Sequence, residues 1–472
     1  MTMAILSTFE MRHWAECGVY FMLVTFGVVL LFALIVLTSD YVDGWLRRRA
    51  LGDIPFVDEG SNMSARLRWY SLRFDAEKEY AKAYKQYSKA GKPYATRVQS
   101  NDHGRFHGAM VNAIDKTLPL TIDNPTTGEW KQLNVFNTIV TLCSTVVMSV
   151  LLGQEFCMDI SLIQAMSMYN ATVMPSCYER TSYPRVLRPF VWRLSPPCRA
   201  MKSHFSKAKM RLMPEIKRRI DIARPNKGRI GNDGPASLLD GLIETAFEKG
   251  ILNRSGNRQD DDQQVDLLAE EIILYHFELS SPIAFFVIFK LYAIIDHMEY
   301  LAPLREELHL PFIDLLCPIH HITTDVETRS LVTSFRRVMK PVHLESINLS
   351  LNPGTIIMSP GRDVHLDPDH YENPTTFDGY RFYDASRGTC TPHISTTSPT
   401  FLTFSHGISA CPARVLATQI SRTIFIMFLL KYDVELAHEE MPAYGITNGP
   451  VYLPNPLIMM RVRPRQKDAL GP

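Results

Sequence analysis

The chain has 472 residues and a formal net charge of +1, and 46 % of its residues are hydrophobic. This composition suffices for a large domain with an extensive apolar core, and the near-neutral charge without long basic runs argues against a nucleic-acid partner. The eight cysteines are scattered and include no C-x2-C pair, which argues against a zinc ribbon or thioredoxin-type site and is typical of a reducing compartment.

The N-terminal part contains an uncharged, almost wholly apolar run from Val19 to Thr38. Such a run spans about 30 Å as a helix, which is the thickness of a hydrocarbon core. Three arginines follow at 47–49, and positive residues stay on the cytoplasmic side. We therefore predict a lumenal N-terminus (1–18), a single-pass transmembrane anchor (19–38), a linker (39–62) and one cytosolic domain (63–472). A cleaved signal peptide is disfavoured, because the run is too long and lacks a basic leader and a cleavage site.

Helical patterns dominate the cytosolic part. Amphipathic or apolar helices are predicted within Glu77–Gly91, Glu129–Phe156 and Ser203–Asp221, the last of them basic with a solvated face. The longest candidate is Val265–Asp296, which is apolar nearly all round. A helix of that kind is expected to cross the core of a domain.

The middle of this long helix holds a polar island of Glu278, Ser280 and Ser281 beside Pro282. Proline removes a helical hydrogen bond and predicts a kink one turn earlier. An acid with hydroxyls in a buried helix is a candidate group for moving protons. The alternative is that the serines cap the kink and Glu278 faces solvent.

Near the C-terminus, Phe404, Gly407 and Cys411 stand at spacing F-x2-G-x3-C before a second apolar helical run from Pro412 to Leu430. Proline suits the first position of a helix, so Cys411 is predicted just before a helix N-terminus, whose dipole favours a thiolate. A glycine at 407 lets the backbone approach a flat ligand closely. Together these features predict a thiolate site for haem iron.

The segment FSHGISACPAR resembles the cysteine loop of fungal cytochromes P450, with matches at Phe404, His406, Gly407, Cys411 and Arg414. The usual basic residue and histidine are replaced by Ile408 and Ser409. The runs SVLLGQEFC, TSFRRVMKPVHL and PTTFDGYRF are similar to further motifs of that family.

This resemblance implies a mainly α fold with small β-sheets, namely a single large haem domain of the cytochrome P450 fold behind the transmembrane helix. It implies haem b ligated by Cys411 and contacted by Phe404, His406 and Gly407, with Arg336 or Arg337 pairing with a propionate. Glu278 with Ser280 or Ser281 would deliver protons.

By the same resemblance, electrons would come from NADPH–cytochrome P450 reductase at the endoplasmic reticulum membrane. The substrate would be a lipophilic intermediate of fungal secondary metabolism, of the terpenoid, indole-diterpene or meroterpenoid type. One oxygen atom would be inserted into it.

Two departures from the family pattern matter. The Glu-x-x-Arg of the family's K helix is not found, since Glu327 and Arg329 stand one residue too close together, and the stretch from Val98 to Phe106 is shorter than usual. The missing Glu-x-x-Arg favours an alternative in which the chain is a catalytically impaired, membrane-anchored relative that acts as an interaction protein, whereas the intact cysteine loop opposes that alternative.

Overall fold

The structure is a computed structural model. It describes residues 106–465 except 123–127, 184–186, 227, 231–236, 249, 253–257, 309–332, 346–347, 385–388, 391–393, 408–409 and 449–450. The predicted anchor, the linker, the tyrosine-rich helix near residue 80 and the pair Glu327 and Arg329 all lie outside the described residues. The division of the chain into these segments therefore stays a prediction.

Helices make up most of the described chain. In chain order they are α1 (His107–Ile122), α2 (Val135–Leu152), α3 (Ile160–Thr181), α4 (Arg188–Leu194), α5 (Pro196–Ala223), α6 (Leu238–Glu248), α7 (Arg258–Asp296), α8 (Leu301–Leu308), α9 (Gly361–His365) and α10 (Arg414–Lys431). Two 3-10 helices cover Gln154–Met158 and Met298–Tyr300.

The strands are short and lie at the edges of this helical body. They are β1 (Lys131–Asn134), β2 (Thr333–Arg337), β3 (Val342–Leu344), β4 (Leu349–Leu351), β5 (Ile356–Pro360), β6 (Tyr383–Asp384), β7 (Thr389–Cys390), β8 (Tyr432–Leu436), β9 (Gly445–Asn448), β10 (Val451–Pro454) and β11 (Met459–Pro464). The pairs β2–β5, β3–β4, β6–β7 and β9–β10 are antiparallel, and β1, β11 and β8 form a three-stranded sheet. A predominantly helical fold with small sheets is thereby confirmed.

The core forms where α2, α7 and α10 pack against one another and against α1. Helix α2 is buried along most of its length, and α7 is buried nearly all round from Ile283 to Ile295. Each of these helices can be apolar on several faces because neighbouring helices cover those faces. Burying a large aliphatic side chain contributes about 1.5–3 kcal/mol, so this contact region is the main source of stability.

Local capping explains where several helices begin. The side chain of Asn134 accepts a hydrogen bond from the Asn137 N–H at 2.9 Å, and Asp159 caps α3 in the same way. Ser237 and Asp240 form a reciprocal capping box at the start of α6, with N–H to side-chain distances of 3.2 and 3.0 Å. Each cap satisfies an N–H that the helix leaves without an intrahelical partner.

One difference from the predicted elements has a tertiary cause. Residues 131–134, expected as helix, form β1 because they pair with β11, as in Leu133 opposite Met460. The single long helix predicted over 265–296 is present as α7, which runs through Pro282. Among the described residues, Val135–Leu152 and Asp262–Asp296 are apolar and long enough to cross a membrane, but most of each is buried inside the fold, as in a core helix.

Candidate functional site

The cysteine loop is closed by a backbone hydrogen bond across the predicted motif. The N–H of Cys411 donates to the carbonyl of Phe404 at 2.9 Å, and the N–H of Ala410 donates to that of Gly407 at 3.0 Å. Gly407 adopts a φ of 78°, in the left-handed region that glycine reaches without a Cβ clash. Cys411 is half-buried at the end of this loop, two residues before the N-cap of α10.

The loop is held against the long helix by aromatic packing. Phe404 is buried, and its ring lies 5.7 Å from the ring of Phe286 on α7, measured between centroids. The loop, α10 and α7 are therefore brought together in space although α7 precedes the loop by more than a hundred residues. A ligand bound at Cys411 would lie next to α7.

Polar atoms in the loop fit a large prosthetic group with acidic side chains. The Nδ1 atom of His406 lies 3.0 Å from the Oγ1 of Thr397, whereas its Nε2 atom is buried without a hydrogen-bond partner. The Oγ1 of Thr403 is also buried and without a partner. Buried polar atoms are nearly always hydrogen-bonded, so these two atoms indicate that the site binds a group with acceptors.

The donor set matches a single-cysteine iron site better than a metal site made by the protein alone. Within the described part of the chain, no group of three or more His, Cys, Asp or Glu side chains is arranged to hold a metal ion. A haem brings four nitrogen ligands of its own, so the protein needs to supply only an axial ligand such as the Cys411 thiolate. The residues present thus fit haem.

The pKa of the Cys411 thiol is raised by burial, the largest influence on it. The backbone N–H of Ala413 and the positive charge of Arg414 lower this pKa, and the negative charge of Glu278 raises it. The helix N-terminus therefore does not by itself give a low thiol pKa, and a bound metal ion would be needed to hold the thiolate.

The three polar residues of α7 do not share one face. Glu278 is exposed and Ser281 is half-buried, three residues later, on the same side of the helix. Ser280 lies about 200° from Glu278 around the helix axis, is buried, and faces α3. Glu278 and Ser281 thus share one side of α7, whereas Ser280 is directed into the helical core.

Ser280 belongs to a buried polar network that the sequence analysis missed. The Nδ2 of Asn170 on α3 donates to the Oγ of Ser280 at 2.7 Å and lies 3.2 Å from the Nδ1 of His276. The Nε2 of His276 lies 2.9 Å from the Oγ of Ser144 on α2. His276 and Ser280 are four residues apart, and that spacing is the signal that could have shown their shared face.

His276 is fully buried, and burial lowers its pKa to about 4 against the slight opposing effect of Ser144. It is therefore neutral at physiological pH. Because both ring nitrogens have polar neighbours, the network can be satisfied by a neutral ring that donates from one nitrogen and accepts at the other. It ties α2, α3 and α7 together at the level of Ser280.

The remaining predicted residues lie on the strands and loops beyond α8. Arg336 and Arg337 belong to β2, and their side chains are outside the description. Arg381 donates to the carbonyls of Glu372, Asn373 and Thr376, at 3.2 Å to Asn373 and 2.6 Å to Thr376. Arg381, in the PTTFDGYRF run, is therefore hydrogen-bonded within its own loop.

A groove among the described residues lies apart from the cysteine loop. It has a volume of about 550 Å³ and is formed between α3 and α5 by Ser161, Ala165, Lys207, Met210, Arg211 and Pro214. None of these residues was predicted as functional, and none belongs to the cysteine loop or to α7.

Comparisons with known proteins identify relatives of this chain. Residues 329–461 match the family model described as "Cytochrome P450". Cytochrome P450 monooxygenase afvE of Aspergillus flavus is 62 % identical over 473 aligned positions, covering 87 % of this chain and 100 % of the relative. Bicoumarin synthase ktnC of Aspergillus niger is 51 % identical over 75 % of this chain and 88 % of the relative.

More distant similarities extend the comparison. Bicoumarin synthase desC of Aspergillus desertorum is 37 % identical over 524 aligned positions, covering 93 % of this chain and 96 % of the relative. Since 524 exceeds the 472 residues of this chain, parts of that relative have no counterpart here. The crystal structure of the cytochrome P450DA haem domain matches the fold with a TM-score of 0.55 at 14 % identity, over 78 % of this chain and 75 % of that one.

These findings bear on the alternative of a non-catalytic relative. Relatives that this chain covers over most or all of their length are named as monooxygenases or synthases. Arg381 of the PTTFDGYRF run is hydrogen-bonded to carbonyls of its own loop. A catalytically impaired interaction protein is therefore not supported.

Proposed function

Because this chain belongs to the cytochrome P450 family, as a haem-dependent monooxygenase of fungal secondary metabolism, we propose that Cys411 is the axial ligand of its haem b. The observation that supports this assignment is the closed loop from Phe404 to Cys411, held against α7 by Phe286. The bound haem would activate dioxygen, with a cysteine thiolate favouring O–O cleavage. The polypeptide would hold the group, orient the substrate and supply protons.

We assign the cofactor contacts to the same loop. Phe404 would pack on the haem, Gly407 would allow its close approach, and the unpartnered Nε2 of His406 would donate to an acidic group on it. Arg336 or Arg337 would pair with a propionate from β2. Charge-assisted hydrogen bonds of this kind are about twice as strong as neutral ones, so they would contribute to haem retention.

Proton delivery is proposed for Glu278 with Ser281. Both lie on one side of α7, and a hydroxyl three residues from a carboxylate can exchange a proton with it directly or through water. Ser280, the third predicted residue, would act indirectly, because its hydroxyl accepts a hydrogen bond from Asn170. Its effect would be on the shape of α7.

For the reaction, we propose oxidative coupling of two phenolic coumarin-type molecules. The support is that relatives 51 % and 37 % identical to this chain are named bicoumarin synthases. In such a coupling two aromatic C–H bonds break and one C–C bond forms, releasing two electrons and two protons. NADPH and one solvent proton supply the remaining two electrons and two protons that reduce dioxygen to two waters.

The terpenoid-type substrate predicted from the sequence stays a second candidate, because LYHFELSSP and FRRVMKP resemble enzymes that act on such compounds. The two candidates differ in the fate of oxygen. Insertion into a terpenoid places one atom of dioxygen in the product, whereas coupling leaves both atoms in water.

The test uses microsomes that contain the full chain and NADPH–cytochrome P450 reductase, under oxygen-18 dioxygen. A hydroxylated coumarin and a terpenoid alcohol are supplied separately, and the masses of the products are measured by mass spectrometry. We expect a dimer without oxygen-18 from the coumarin. A labelled, hydroxylated terpenoid without any coumarin dimer would replace this proposal with the second candidate.

The ligand assignment has its own control. Cys411→Ala should abolish the thiolate-type Soret band of the reduced carbon-monoxide complex, while Cys177→Ala, which alters an exposed cysteine on α3, should leave it unchanged. An unchanged band in Cys411→Ala would overturn the assignment whatever the substrate.

Fungal members of this family are typically associated with the endoplasmic reticulum membrane. We propose that residues 19–38 anchor this chain there, with residues 63–472 in the cytosol, where a membrane-bound reductase can reach it. Protease added to intact microsomes should digest the domain. Protection of the domain would refute this topology.

A further inference from the structure

Arg414, the first residue of α10, reaches back to the cysteine loop with its guanidinium group. Its Nε donates to the carbonyl of Ser395 at 3.0 Å, and its Nη1 donates to the carbonyl of Cys411 at 3.0 Å. One planar side chain therefore joins the segment that leads into the loop to the backbone of the ligand residue. A flexible ammonium cannot reproduce this fork, because its donors are not held in a plane.

The backbone of Cys411 is thereby held on both sides. Its N–H is bound to Phe404, which packs on α7, and its carbonyl is bound to Arg414. The N–H of Arg414 also lies 3.5 Å from that carbonyl, so the side chain supplies the shorter of the two contacts. Without Arg414, only the Phe404 side would remain well fixed.

Arg414 also acts on the sulfur through its charge. Its Nη1 lies 3.0 Å from the Cys411 carbonyl, so the positive charge stands beside the residue that would carry the thiolate, and opposite charges attract at short range. Arg414 is half-buried beside the loop, so solvent screens its charge less than it screens a surface arginine. Both effects favour a cysteine that keeps its negative charge.

We propose that Arg414 is a positioning residue for the axial ligand, which fixes the Cys411 carbonyl and balances the negative charge of its thiolate. The inference rests on the proposed assignment of Cys411 to the haem iron. It extends that assignment to a residue that acts on the iron through Cys411.

Two substitutions separate the geometric effect from the charge effect. Arg414→Lys keeps the charge and loses the two-carbonyl bridge, whereas Arg414→Gln loses the charge and can keep one hydrogen bond. Arg461→Gln is the matched control, since Arg461 on β11 pairs with Glu435 at 2.6 Å on a half-exposed surface and its loss changes the net charge equally.

The first readout is the rate at which the reduced carbon-monoxide complex loses its thiolate-type Soret band under mild heating. We expect both Arg414 variants to lose it about ten-fold faster than the wild type, the effect of one hydrogen bond to a charged group. Arg461→Gln should match the wild type. Wild-type rates in both Arg414 variants would overturn the positioning role.

The second readout is the midpoint potential of the haem iron, which a purely structural role would not move. Arg414→Gln should shift it to more negative values, because a nearby positive charge stabilises the reduced state, and Arg414→Lys should leave it close to wild type. An equal shift in Arg461→Gln would overturn the charge effect. If Arg414→Gln does not fold, Arg414→Lys still tests the bridge by the first readout.

The outcome remains separate from that of the proposed function. If Cys411→Ala retains the thiolate-type band, the ligand assignment fails and the role of Arg414 fails with it. If Cys411→Ala loses the band while both Arg414 variants behave as wild type, only the present inference fails.

Discussion

We predict that replacing Arg219 by methionine destabilises the protein more than the loss of an exposed charge on α5 would, because the Arg219 side chain is buried. The Arg219 side chain is 5 % exposed. Its Nε donates to Glu215 at 2.6 Å, and its Nη1 donates to Asp240 at 2.7 Å and to Ser237 at 2.8 Å. Its Nη2 donates to the Leu152 carbonyl and to Glu155, the latter at 3.1 Å. One guanidinium thus joins α5, α6 and the end of α2.

The magnitude follows from what the substitution leaves behind. The Asp240 side chain is 4 % exposed, and in Arg219→Met its charge would lose its ionic partner while keeping only hydrogen bonds from the start of α6. Removing one partner of a buried ion pair costs about 3–5 kcal/mol. Unfolding entropy near 2.1 cal/mol/K per residue gives roughly 1 kcal/mol/K for a chain of this length, so the melting temperature should fall by roughly 3–5 °C.

Arg218→Met is the matched control. Arg218 binds the same Glu215 at 2.7 Å, but its side chain is 56 % exposed. Exposed pairs contribute about 0–1 kcal/mol, so its melting temperature should fall by about 1 °C or less. The assay is thermal unfolding by circular dichroism at one scan rate, because large proteins often unfold irreversibly.

Equal melting temperatures for the two variants would refute the reasoning that burial makes the Arg219 interactions strong. A second check is Arg219→Met combined with Asp240→Leu. Removing both buried charges should recover much of the loss, since the penalty arises from the charge that is left alone. No recovery would show that the cost comes from packing around Arg219.

Three further predictions concern other parts of the fold. The pKa of His276 is about 4 in the folded protein and 6.5 in the unfolded chain, so the folded state binds fewer protons between these values. The stability contributed by neutral His276 should therefore be full above pH 6.5 and fall by up to about 1.4 kcal/mol per pH unit down to pH 4. His276→Gln should remove this dependence in urea titrations. A Cβ at Gly379 would overlap the ring of Tyr300, so Gly379→Ala should lower stability by about 1–3 kcal/mol, and Tyr300→Leu in the same chain should restore part of it in thermal melts. Glu278→Gln should reduce the product formed per NADPH consumed by roughly 100-fold, and Ser281→Ala should reduce it by a smaller factor. Ser280→Ala should mainly lower the melting temperature. Strong uncoupling in Ser280→Ala alone would reverse the assignment of the two serines.

The sequence by itself determined the features whose signals are local. The spacing of Phe404, Gly407 and Cys411 before an apolar helical run predicted the loop and α10 to within two residues, because a closed loop and a helix N-terminus depend on neighbouring residues. The largely apolar character of 265–296 predicted a core helix, since a helix that is apolar on nearly every side has to be covered on nearly every side. The family and its haem followed from these elements and are confirmed.

Only the tertiary structure decided which partners distant residues meet. Residues 131–134 became a strand through pairing with 459–462, more than three hundred positions away, which overrode their local helical preference. Which serine of α7 is held in the helical core depended on the side from which α3 packs, and Asn170 on α3 bound Ser280. Arg414 carries no local sign that it bridges two carbonyls, because a hydrogen bond of this kind exists only once the chain has folded and brought Ser395 beside the helix.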